Sequence, residues 1–336
     1  MKHKHTKTRH TCKRLAAKLC AAAAIFGMAF FSGCAKSTAT KNEKISIVCT
    51  TFPQYDWVRN IINGSESKFS LALLMSKGTD LHNYQPTAQD MVRIASSDLF
   101  IHVGGESDVW VKDCLSEATN KSMTVINLIE LLGSRAKTEE IVEGMQHEGD
   151  EHEHDEPEQE YDEHVWLSLQ NAAFFAGCIT DAVCKLDRAD EALYRANAEK
   201  YIAQLEKLDE EYAQTVSSSK RKTVLFGDRF PFRYLVDDYS LEYFAAFSGC
   251  SAESEASFET IAFLANKVSE RALPVVFTIE KSDQKIARSI IANAGTGAEV
   301  LVLDSMQSVT SKDIEAGANY IGIMAKNLEA LKKALN

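Results

Sequence analysis

Between Glu139 and Glu163 the chain carries thirteen Asp or Glu residues, three histidines (His147, His152 and His154) and no Lys or Arg. Imidazoles interleaved with carboxylates offer nitrogen and oxygen donors to a borderline cation such as zinc, and their negative field concentrates divalent ions nearby. Such a block buries no core, so it is expected to be solvated and mobile, gathering metal through its three histidines. A charged linker with incidental histidines is the alternative from composition alone. The block runs into His164, directly before the apolar Val165-Trp166-Leu167, where a ligand would be fixed by the fold.

Two further residues carry metal-binding chemistry. His82 lies within residues 78–87 (GTDLHNYQPT), a turn between a strand and a helix, and Asp304 follows the strand-like Val300-Leu301-Val302-Leu303. Open α/β sheets bind ligands at the carboxyl ends of their strands, so His82, His164 and Asp304 all fall where a cleft should be. Neutral imidazoles with a carboxylate suit zinc, and less selectively manganese or iron. Taken singly, each histidine reads as a surface or capping residue and Asp304 as a turn cap; spacing alone does not bring them together. His102, ending the apolar run 99–103, reads as a packed histidine. Gly104-Gly105 lacks the G-x-G-x-x-G order of a dinucleotide fold, and the chain has no Walker motif, G-x-S-x-G elbow or H-E-x-x-H helix. A zinc hydrolase is therefore the weaker reading, and no enzyme is expected.

Strands and helices must hold these residues. Residues 44–51 (KISIVCTT) read as a buried strand, 52–63 as a helix, 69–75 as a strand, 87–96 as a helix and 98–103 as a third strand. Residues 165–217 are mostly helical, and 189–217 place Leu193, Tyr201, Leu205, Leu208 and Tyr212 at helical spacings, so they could form one rod. Residues 222–226, 241–247, 274–279 and 299–303 then recur as strands with helices between them. Strands alternating with helices imply α/β halves with largely parallel sheets.

Residues 1–18 hold seven Lys or Arg and no acid, 19–31 form an apolar run, and Ser32-Gly33-Cys34 follows. This is a secretory leader, too short to be a confident membrane span. Phe31-Ser32-Gly33-Cys34 resembles a bacterial lipoprotein processing box, although Phe31 departs from the usual aliphatic residue. Lipidation at Cys34 would anchor the protein on the outer face of the cell membrane, because more than one acyl chain gives lasting attachment. Without the leader, 30 basic residues face 48 acidic ones, a net charge of −18, of which the acidic block supplies −13. The remainder is an ordinary soluble surface, which argues against nucleic acid as a partner. Beyond Cys34 the five cysteines are Cys49, Cys114, Cys178, Cys184 and Cys250. An odd number excludes a fully paired framework, and most read as small buried residues.

Several ordered motifs together resemble the metal-binding family of ABC-transporter substrate-binding proteins, the zinc/manganese type known as cluster A-I. They are Thr50-Thr51-Phe52-Pro53, Leu81-His82-Asn83-Tyr84-Gln85-Pro86-Thr87, Ala95-Ser96-Ser97-Asp98-Leu99, Asp162-Glu163-His164-Val165-Trp166-Leu167, Asn197-Ala198 with Tyr201, Leu205, Leu208 and Asp209, Leu303-Asp304-Ser305-Met306, and Asn319-Tyr320 with Asn327-Leu328. The acidic, His-rich loop before the second histidine is typical of the zinc-type members. The resemblance covers almost the whole chain from Lys44 onward and implies two Rossmann-like α/β lobes with parallel sheets, joined by a long rigid helix.

By that resemblance the chain divides into a signal peptide (1–33), a tether (34–43), an N-terminal lobe (44–185) that includes the loop at 139–163, a linking helix (186–218) and a C-terminal lobe (219–336). It implies an extracytoplasmic receptor that captures Zn2+ between its lobes and delivers it to an ABC permease and ATPase on separate chains. A monomer is expected, its only membrane contact the lipid anchor. A manganese or iron receptor, or a metal-buffering or adhesive lipoprotein, are the alternatives. His82, His164 and Asp304 would be ligands. The third ligand of the family, usually His or Glu, aligns with Arg229, and an arginine does not bind a cation. Asp228 is the nearest replacement; water or a loop histidine are the other candidates. Arg229 is expected to pair with Glu253, Glu255 or Glu280.

Overall fold

A computed structural model describes residues 44–146, 160–251 and 255–336. The leader, Cys34 and tether lie outside the described residues, as do His147, His152 and His154. In chain order the elements are β1 (Ile45–Cys49), α1 (Phe52–Ile61), β2 (Phe69–Leu73), α2 (Ala88–Ala95), β3 (Leu99–His102), α3 (Trp110–Ser116), β4 (Thr124–Asn127), α4 (Leu128–Leu132), α5 (Leu169–Leu186) and α6 (Glu191–Ser218). The second half follows with β5 (Thr223–Phe230), α7 (Arg233–Asp238), β6 (Glu242–Ser248), α8 (Phe258–Glu270), β7 (Val275–Ile279), α9 (Lys285–Ala294), β8 (Glu299–Leu303), α10 (Ser311–Glu315) and α11 (Tyr320–Leu335).

The strands form two four-stranded sheets, ordered β2-β1-β3-β4 and β6-β5-β7-β8, with every pair parallel. Strands covered by helices on both faces need apolar residues at successive positions. β3 and β7 meet that demand, being buried at every residue. β4 is the strand that pattern reading passed over: of Thr124–Asn127 only Ile126 is buried, so this edge strand carries no periodic apolar signal.

The long helix α6 runs for 28 residues, about 42 Å at the α-helical rise. Its buried positions are Tyr194, Ala198, Tyr201, Leu205, Leu208, Tyr212 and Val216, three or four apart and therefore one stripe. Leu193, which pattern reading put on that stripe, is exposed. The stripe packs along α5 and reaches α1 and α11. Polar bonds fix both ends, because Asn197 Nδ2 donates to Ile61 O at 3.0 Å and Tyr212 Oη donates to Met324 O at 2.7 Å.

One core extends from the first sheet through α5 and α6 to the inner face of the second sheet, and a second cluster around Leu225, Phe244, Val276 and Ile290 fills the far face. The two lobes are stitched together by buried hydrogen bonds. Asp56 Oδ2 on α1 accepts from Tyr320 N at 2.9 Å, and Tyr320 Oη donates to Trp166 O at 2.6 Å. Among the described residues no helix is long and apolar enough to cross a membrane.

Candidate metal centre

His82 sits on the single 3-10 turn Leu81–Asn83. Asp80 caps that turn, its Oδ1 accepting from His82 N at 3.1 Å. His164 is fully buried and leaves the acidic block through a similar local brace, Asp162 Oδ1 accepting from His164 N at 2.8 Å and facing His164 Nδ1 at 3.0 Å. His82 Nδ1 lies 2.8 Å from Ser107 Oγ and 3.4 Å from Glu163 Oε2. The Asp162 carboxylate at His164 Nδ1 draws that ring's proton there and leaves its Nε2 with a lone pair, whereas His82 Nδ1 is held by the Ser107 hydroxyl, with the Glu163 carboxylate nearby but not hydrogen-bonded to it. The two Nε2 atoms face one another at 3.2 Å. Two lone pairs at that distance repel unless a proton or a cation lies between them. Imidazoles oriented by hydrogen bonds at Nδ1, with converging Nε2 atoms, are a metal-binding arrangement.

Gly105, at φ +80°, makes room for part of this brace, since a Cβ there would collide with the Glu163 carboxylate. Glu163 Oε1 accepts from Ser107 N at 2.8 Å, and burial pushes the Glu163 pKa up to about 7. Burial, followed by the neighbouring His164 charge, pushes His82 down to about 3. Burial also opposes a charge on His164, but Asp162, with Glu163 and Asp80, outweighs it and raises that pKa. The surroundings therefore disfavour a charge on His82 and favour one on His164.

A sulfur joins the two rings. One ring nitrogen each of His82 and His164 and the thiol of Cys250 lie within 4.8 Å of one another, and this is the one such trio among the described residues. Cys250 follows β6, and its backbone N donates to Glu139 Oε1 at 3.0 Å. Burial, then Glu139, Asp162 and Glu163, push the Cys250 thiol up. From sequence most of the five cysteines read as small buried residues, and none stands out as a ligand, Cys250 included. The positional rule that pointed to His82 and Asp304 applied to it equally, because it too stands at the carboxyl end of a parallel strand.

The remaining candidates are placed differently. Asp304 Oδ1 accepts from Met306 N at 2.8 Å, which caps the turn after β8, and burial followed by Glu280 pushes its pKa up to about 6. Asp228 Oδ1 accepts from Arg229 N at 2.9 Å, and its other oxygen is buried without a hydrogen bond. Neither carboxylate is in the trio. Arg229 pairs across the cleft with Asp80, Nη2 to Oδ2 at 2.7 Å, rather than with Glu255 or Glu280; Glu253, the other glutamate expected, lies outside the described residues. Glu280 is occupied by the loop after β8, accepting from Ser305 N at 2.7 Å and Gln307 N at 3.1 Å. His102 stacks on Phe100 and meets Asp108 at 3.1 Å.

The stem of the acidic block is anchored beside the trio. Thr138 and Tyr161 form an antiparallel bridge. Tyr234 Oη on α7 accepts from Lys137 N at 2.9 Å and donates to Asp162 O at 3.1 Å. A cavity of about 410 Å³ lined by Asp80, Asp228, Arg229, Glu280, Lys281 and Ser305 opens between the lobes.

The family model described as zinc-uptake complex component A, periplasmic, matches residues 47–334. The high-affinity zinc uptake system protein ZnuA of Bacillus subtilis strain 168 is 29% identical over 299 residues, covering 89% of this chain and 90% of that protein. The zinc-binding lipoprotein AdcA of Streptococcus pneumoniae strain R6 is 30% identical over 291 residues, covering 86% of this chain. This chain spans about half of AdcA, 56% of its length. The crystal structure of the Zn(II)-bound ZnuA-like domain of Streptococcus pneumoniae AdcA superposes with a TM-score of 0.67 at 27% identity, covering 87% of this chain and 99% of that domain. Two parallel α/β sheets joined by a long helix, the paired histidines and a family match over nearly all of the described chain agree: this protein belongs to the family of zinc-uptake complex component A.

Proposed function

We propose that this chain is an extracytoplasmic zinc receptor that takes up Zn2+ between its lobes and passes it to an ABC permease and ATPase on separate chains. The observation that carries the reading is the 3.2 Å approach of His82 Nε2 to His164 Nε2, with the His82 ring held at Nδ1 by the Ser107 hydroxyl and the His164 ring by the Asp162 carboxylate. The relatives named for zinc uptake and zinc binding support the choice of metal. His82 and His164 act as nitrogen ligands. Asp304 is the second lobe's carboxylate by its motif; its Oδ1 accepts from Met306 N, which leaves Oδ2 to act as the ligand atom. Asp228 is a reserve ligand, one of whose oxygens is buried without a hydrogen bond.

His147, His152 and His154 raise the local metal concentration before transfer to the fixed site, and Cys34 carries the lipid anchor. A relative named as a lipoprotein supports that location. The test is zinc uptake by cells whose own chain is replaced with a double variant, His82→Ala with His164→Ala. Uptake under zinc limitation is expected to fall to the level of the deletion strain. Uptake equal to wild type would contradict the receptor reading.

A further inference from the structure

We infer that Cys250 is a metal ligand, and that it fills as a thiolate the place that an arginine vacates on the second lobe. The inference rests on the receptor reading above and names a donor that reading lacks. Its first support is position, since the Cys250 sulfur and one nitrogen from each of His82 and His164 lie within 4.8 Å of one another. A zinc ion bound to sulfur at about 2.3 Å and to nitrogen at about 2.0–2.1 Å holds its donors at such separations.

The second support is the residue before it. A Cβ at Gly249 would stand 3.0 Å from His164 Cε1, 3.2 Å from His164 Nδ1 and 2.9 Å from Phe230 O. Glycine is therefore what lets the Cys250 backbone lie against the buried imidazole. The third is the fate of Arg229, whose guanidinium is held by Asp80 at 2.7 Å. That ion pair braces the His82 turn from the opposite lobe, because the other Asp80 oxygen accepts from His82 N. Arg229 thus positions a ligand, and the second lobe supplies the donor from the end of β6.

The other described cysteines differ in setting. Cys49, Cys114 and Cys184 are buried in β1, α3 and α5, and Cys178 lies on α5. Cys250 alone among them stands in the trio with two imidazoles. On binding, the sulfur gives its proton to solvent and forms the bond to zinc, leaving a fourth position for a carboxylate or water. Two nitrogens and a soft thiolate favour zinc over manganese, which prefers carboxylate and water oxygens.

The test uses the full chain loaded with Co2+ and, separately, titrated with Zn2+ against a competing chelator. Wild type is expected to show a thiolate-to-cobalt absorption band in the near ultraviolet that persists in Cys49→Ala and vanishes in Cys250→Ala. Zinc affinity is expected to fall about 100-fold or more in Cys250→Ala, since even outer-shell changes cost 10–100-fold. Cys250→Asp is expected to restore binding while narrowing the preference for zinc over manganese. Unchanged thermal melting of the metal-free variants separates ligand loss from misfolding. If His82→Ala abolishes zinc binding but Cys250→Ala leaves both affinity and the cobalt spectrum unchanged, the thiolate is overturned and the receptor reading survives. If neither change affects binding, both are overturned.

Discussion

At the scale of single residues, the site depends on groups that hold the imidazoles as much as on the imidazoles themselves. Asp162 accepts from both the backbone and the ring of His164, so it fixes where the Nε2 lone pair points. Asp162→Ala is expected to lower zinc affinity 10–100-fold by chelator competition. His102→Gln, which alters a ring packed on Phe100 away from the trio, should leave affinity unchanged. His82, His164 and Asp304 were legible as candidates because each sits in a motif with a fixed place in the strand-helix order, and Asp228 only as the carboxylate next to Arg229. Cys250 was not, since a cysteine at the end of an apolar strand looks like core until the two histidines are placed beside it. The partner of Arg229 was hidden for a similar reason. Asp80 is 149 residues away and belongs to the opposite lobe.

At the scale of elements, Trp166 couples the His164 segment to the loop that carries Asp304. Its Nε1 donates to Ser305 O at 2.9 Å, fully buried. Trp166→Phe keeps most of the apolar volume but strands that carbonyl, so a loss of about 1–3 kcal/mol is expected in denaturant unfolding. A second element-scale prediction concerns α7. Burial, followed by the nearby Asp209 and Asp237 carboxylates, pushes the Asp238 pKa up to about 6. The folded form therefore binds this proton more tightly than the unfolded chain does. Its contribution is fully present below the unfolded value of 3.8 and is lost as pH rises through about 6. Asp238→Asn is expected to stabilise the protein at pH 7.5 by about 1–2 kcal/mol, allowing for partial exposure, and to give no gain near pH 4. Thermal melts at the two pH values check this.

The strands and helices themselves were largely readable, because covered parallel strands are apolar throughout and helices carry a regular stripe. β4 escaped as a half-exposed edge strand, and the stripe of α6 was misplaced at Leu193, one residue from the buried Tyr194. β5 runs on to Phe230, beyond the 222–226 read from pattern, through a register shift between Phe226 and Arg229. That extension is what carries Arg229 into the cleft.

At the scale of the molecule, α6 and the Asp56–Tyr320–Trp166 chain of hydrogen bonds bind the lobes into one unit. Large rotation of one lobe on the other would break buried polar bonds, each of which is costly to leave unmade. Metal release is therefore expected through local rearrangement in the second lobe, at the loops after β6 and β8, where Cys250 and Asp304 sit. Zinc is expected to be held by the fixed site between the lobes and only gathered by the acidic loop. The most direct test is competitive zinc and manganese titration of wild type, His82→Ala, His164→Ala and a deletion of residues 147–159. Tight zinc binding that collapses in both histidine variants and survives the deletion is the expected result. Weak binding that disappears with the loop and ignores the histidine changes would contradict capture between the lobes.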